Sequence, residues 1–111
     1  MNNLLTFKIL KIMNLVIHAV SFEADSKLRE FIEKKIQKLE TFFDKIINVE
    51  VFLKLDSNET VKDKTVEVKV HVPGKTIFVT ETSKKFEEST DLALDSVSRQ
   101  IKKQKEKMRL H

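Results

Sequence analysis

Two stretches of strict apolar–polar alternation constrain this chain more than any other feature. In INVEVFLKLD, residues 47–56, Ile47, Val49, Val51, Leu53 and Leu55 all point one way. In TVEVKVHV the same is true of Val66, Val68, Val70 and Val72. A period of two suits a strand with one buried face and does not suit a helix. Pro73-Gly74 then forms a two-residue turn, and KTIFVTET returns as a further strand. The register checks itself. A two-residue loop pairs Val72 with Lys75, so Val70 faces Ile77 and Val68 faces Val79, all on one side.

The remaining segments read as one more strand and two helices. NLVIHAV, residues 14–20, is a short and largely buried strand. Asp25 is a suitable N-cap for a helix reaching about Phe43, with Leu28, Phe31, Ile32, Ile36, Leu39, Phe42 and Phe43 on one stripe. Polar residues 56–64 connect the two alternating strands. Ser83 is expected to cap a second helix whose stripe is Phe86, Thr90, Ala93, Leu94, Val97, Ile101 and Met108. The order is β-α-β-β-β-α, an α+β fold with a four-stranded mixed sheet and both helices on its apolar face. The first strand should lie parallel to the second through a right-handed crossover, and the others should form an antiparallel meander.

At 111 residues there is room for one domain, expected over residues 13–111. Residues 1–12, MNNLLTFKILKI, are expected to be an upstream extension or start-site artefact outside it. They carry Lys8 and Lys11, are too short to span a bilayer and show no small-residue cleavage site, so no membrane contact is expected.

Catalytic patterns are missing. The chain has no Cys, so disulfides, thiol catalysis and thiolate zinc sites are out. His18, His71 and His111 are scattered, and one Gly cannot make a phosphate-cradling loop. The acids stand beside Lys on helix surfaces, as in the i,i+4 pair Glu30 and Lys34. The expectation is a protein that is not an enzyme, with no metal, no cofactor and no small-molecule substrate.

Charge is what remains. Between Arg99 and His111 lie Arg99, Lys102, Lys103, Lys105, Lys107 and Arg109 against Glu106 alone. That is +5 of a net +4, which leaves the preceding residues at −1. Acids early (Glu87, Glu88, Asp91, Asp95) and bases late suit the helix dipole. The dipole, however, rewards each charge by only about 0.3–1 kcal/mol, and only in the last turn. Six bases over about three turns exceed that and point to an external polyanion. On the first helix Lys27, Lys34, Lys38 and Lys45 project within about 40° of one another, with Lys35 at the edge of the apolar stripe. Glu30, Glu33, Gln37 and Glu40 take the far side, and this segregation suggests a second charged strip.

RNA is the polyanion that such a fold suits. From Asp25 onward the order is that of double-stranded-RNA-binding domains, which read shape and backbone. A KH domain needs a GXXG loop that one Gly forbids. Phe52 and Phe78 fall on the open face of the sheet, like the stacking platform of an RRM. The Lys/Arg-Gly-Phe signature is absent, which favours mixed packing or partner contact for them.

Three stretches carry a family resemblance: LREFIEKKIQKLETFFDKI (28–46), VEVFLKLD (49–56) and DSVSRQIKKQKEKMRLH (95–111). From Met13 on, the chain resembles the bacterial ribosome hibernation promoting factor family, short-form members and protein Y relatives in particular. The resemblance implies a cytoplasmic factor that binds the small ribosomal subunit and its ribosomal RNA in the channel of messenger RNA and transfer RNA. It implies blocked translation and preserved idle ribosomes in stationary phase or stress, by a protein that is a monomer off the ribosome. By position it implies Lys35, Lys38, Arg99, Lys103, Lys105, Lys107 and Arg109 as RNA contacts. Lys27, Lys34, Lys45 and Lys102 join them from the helical strips. Lys85 and Glu87 stand where many members have Asp and Tyr, so contacts there should differ. The alternative role is a protein-interaction module, since the family has also been described as modulating an alternative sigma factor.

Overall fold

The computed structural model describes residues 14–55 and 63–109, residues 108 and 109 by backbone alone. The elements are β1 (Leu15–Val20), α1 (Ser26–Phe42), β2 (Asn48–Leu55), β3 (Lys64–Val72), β4 (Lys75–Ser83) and α2 (Phe86–Arg109). They form one sheet in the order β1-β2-β3-β4, with β1 parallel to β2 and the other pairs antiparallel. The expectations for residues 1–12, most of the β2–β3 connection, Met108 and the Arg109 side chain fall outside the described residues.

The hairpin register is the one the alternation demands: Val72 pairs with Lys75, Val70 with Ile77 and Val68 with Val79. Gly74 takes φ +79 at the turn, a conformation in which a Cβ would be strained. The inward residues of β2, β3 and β4 meet Leu28, Ile32, Ile36 and Leu39 of α1 and Phe86, Ala93, Leu94, Val97 and Ile101 of α2 in one core.

Four local readings are corrected. β1 is an edge strand that alternates half-buried with exposed residues, because only one flank and one face of it are covered. Ile47, just before β2, and Leu55, its last residue, have the inward parity yet are exposed at the ends of the strand. Phe42, assigned to the apolar stripe, is 51% exposed. Phe43 is buried instead, and it reaches the core by leaving the helix with φ −145 and ψ 104, while its N–H still bonds to the Leu39 carbonyl.

The helix starts differ in kind. Asp25 caps α1 as expected, its Oδ1 accepting from the Leu28 N–H at 2.8 Å. Ser83 is the last residue of β4 rather than the cap of α2, which begins three residues later. Its buried hydroxyl sits 3.3 Å from the Lys85 N–H and 2.7 Å from the Ser89 hydroxyl. Ser89 Oγ donates to the Lys64 carbonyl at 2.6 Å, which ties the root of α2 to the start of β3.

Candidate nucleic-acid interface

α2 has 24 residues, and Ile101 is the last of them described as buried. Eight residues follow to the helix end, about 12 Å at 1.5 Å per residue. Lys102, Lys103, Lys105, Glu106 and Lys107 are exposed on this part. Lys, Gln and Glu are good helix formers, so residues 102–107 stay helical with little burial.

The bases of α2 divide between its two flanks. On one, Arg99, Lys103 and Lys107 repeat every four residues and form a single row. With Ser96, Gln100 and Gln104 of the same helix they line a groove of about 440 Å³, closed on the other side by Lys75. Lys75 was not among the sequence candidates, and its placement follows from lengths. β4 has nine residues and spans about 30 Å. α2 starts at its far end and needs about 20 residues to run back along it. That brings the start of β4 level with the basic half of the helix.

The other flank faces α1, and there the cations have protein partners. Lys105 Nζ donates to the Phe42 carbonyl at 3.1 Å and lies 5.2 Å over the Phe43 ring. Lys35 Nζ is 3.0 Å from Asp91 Oδ1 and 5.3 Å over the Phe31 ring. Lys38 lines a groove of about 280 Å³ with Phe42, Asp91, Leu94 and Asp95. Lys35 and Lys38 of α1 therefore meet the acidic half of α2 rather than its basic end.

The other candidates lie apart from these grooves. Lys27 and Lys34 are exposed on α1, and the Glu30–Lys34 ion pair that their spacing allows is not among those formed. Lys45 falls in the turn after α1, so its projection onto the helical strip is corrected: the helix ends at Phe42. Lys102 is exposed on α2 and lines neither groove. Among the described residues, no group of three or more His, Asp or Glu could hold a metal ion. Nor is any helix long and apolar enough to cross a membrane.

This architecture, a mixed four-stranded sheet carrying two helices, the second ending in a run of exposed bases, defines an α+β domain of the kind found in ribosome-associated proteins. The chain belongs to the family described as Sigma 54 modulation protein / S30EA ribosomal protein, whose model matches residues 15–109. It is 33% identical over 99 residues to the ribosome hibernation promoting factor of Escherichia coli, covering 89% of this chain and 100% of that protein. To the factor of the same name from Pseudomonas putida it is 31% identical over 85 residues, 77% of this chain and 79% of that one. Among solved structures it resembles a ribosomal subunit interface protein from Coxiella burnetii, with TM-score 0.74 and 25% identity over 82% of this chain and 96% of that one. The N-terminal domain of Thermus thermophilus Protein Y gives TM-score 0.67 and 26% identity, covering 80% and 93%.

Proposed function

We propose that this protein is a ribosome hibernation factor that occupies the messenger RNA and transfer RNA channel of the small subunit. There it blocks translation in the cytoplasm and protects idle ribosomes in stationary phase or stress. The observation that carries this reading is the row Arg99, Lys103 and Lys107, with Lys75 across the groove, on the exposed end of α2. Such a row suits the backbone of structured RNA, which is recognised by shape and phosphate. Lys38, Lys102 and Arg109 extend the contact, and Lys27, Lys34 and Lys45 are secondary contacts. Lys35 and Lys105 divide their charge between RNA and the protein itself. The protein acts by occupancy rather than by catalysis, as a monomer off the ribosome, through a single domain of residues 13–111 with residues 1–12 outside it.

Cosedimentation of the full chain with purified ribosomal subunits tests this. The wild type should travel with the small subunit, and the triple charge reversal Arg99→Glu, Lys103→Glu, Lys107→Glu should stay at the top of the gradient while remaining folded. Unchanged binding of the triple variant would sink the electrostatic account. A complex that survives RNase and contains no ribosomal RNA would favour the sigma-factor role instead.

A further inference from the structure

The face of the sheet opposite the helices has its own organisation. His18 and Phe52, neighbours across β1 and β2, stack with ring centroids 4.6 Å apart and 13° between planes. Phe78 on β4 is 52% exposed, too open for a ring that serves only to pack. Between them Lys69 of β3 places its Nζ 5.4 Å from the Phe52 centroid and 5.9 Å from that of Phe78.

The polar groups on this face mostly have partners within it. Glu50 lies 3.3 Å from His71 and 3.9 Å from His18, and Glu67 is 2.9 Å from Lys54. Among the described residues Lys69 makes no ion pair; its ammonium is held by two π faces. An anion is the partner it lacks.

We propose that this open face is a second RNA surface, which takes an unpaired base on Phe78 and a phosphate on Lys69. Phe52 has His18 on one side and Lys69 on the other, so it holds the ammonium in place, and the exposed Phe78 ring is the platform. Every nucleotide carries a flat base and a phosphate, which is the combination presented here. Aromatic platforms of this kind bind single strands with little sequence preference. A duplex hides its base faces and has no use for them. The partner is therefore single-stranded RNA, distinct from the structured RNA assigned to α2, and this inference does not rest on that assignment.

The chain contains neither Trp nor Tyr, so Phe78→Trp in the full chain installs a lone fluorophore at the proposed contact. Titration with a short oligouridylate or oligoadenylate should quench its emission saturably, and a duplex of equal length should not. Phe78→Ala should weaken binding of the same oligonucleotide about tenfold in filter binding, within the range of one lost base stack. Lys69→Gln, which removes charge but little packing, should flatten the salt dependence by about 0.7 in log–log slope. Quenching should survive the triple reversal at Arg99, Lys103 and Lys107, which separates this face from the helical one. Emission unchanged at saturating oligonucleotide overturns the proposal, as does equal quenching by duplex. A response to RNA-free ribosomal proteins in place of the oligonucleotide overturns it too and makes the face a protein contact.

Discussion

The Lys105 ammonium donates to the Phe42 carbonyl at 3.1 Å, so α2 supplies the cation that α1 lacks in its own last turn. The carbonyls at a helix end are unpaired and carry the negative pole of the dipole. Lys105→Ala should therefore lower the unfolding free energy by about 0.3–1 kcal/mol, and Lys103→Ala should not. Thermal unfolding of the two variants checks this. At about 4–8 °C per kcal/mol for a domain near this size, the difference is measurable.

Salt dependence should resolve the groove residue by residue. If about six phosphates are neutralised, log affinity for ribosomal RNA should fall against log salt with a slope of roughly −4 to −5. Lys103→Ala, Lys107→Ala and Lys75→Ala should each reduce its magnitude by about 0.7–0.9. Lys75 is the discriminating case, because only the folded chain places it across from Arg99. Titrations at several salt concentrations provide the slope.

Asp91 restrains Lys35 from α2. Both side chains are substantially exposed, so their ion pair contributes at most about 1 kcal/mol to stability. Asp91→Asn should cost little in stability and should tighten RNA binding severalfold at low salt, by freeing Lys35 and removing a like-charged repeller of phosphate. Equal affinities in filter binding would show that Lys35 does not face the RNA.

Ser89 anchors α2 to β3 from inside the core, with its hydroxyl 2.6 Å from the Lys64 carbonyl. Ser89→Ala removes the donor to that carbonyl, while the Ser83 hydroxyl keeps the Lys85 carbonyl at 2.7 Å, and should destabilise the fold by about 1–3 kcal/mol. Urea denaturation should show a lower midpoint with an unchanged slope.

The strands and their register were legible because period-two alternation and a two-residue turn leave one solution, and Val70 does face Ile77. Helix ends were less legible. Phe42 and Phe43 are alike in sequence, and only the competition for the core decides that Phe43 unwinds to enter it. Ser83 has a good capping side chain, but it is drawn into β4 by its pairing with Lys64. The candidate interface was half legible. The surplus of bases in α2 could be counted, whereas Lys75 is separated from Lys103 by most of a strand and a helix. The engagement of Lys35 with Asp91 and of Lys105 with Phe42 depends on how the helices lie together, which no single-helix projection contains.

α2 answers to two separate demands along one continuous rod. Up to Ile101 its residues are chosen by fit, and a change there is felt throughout the fold. From Lys102 to Lys107 the charged side chains are exposed, and Lys105 alone among them bonds to the other helix, so their charge can drift over generations without threatening the chain's survival as a folded object. Affinity for the partner can be retuned quickly at that end, while the scaffold stays under slow and conservative selection.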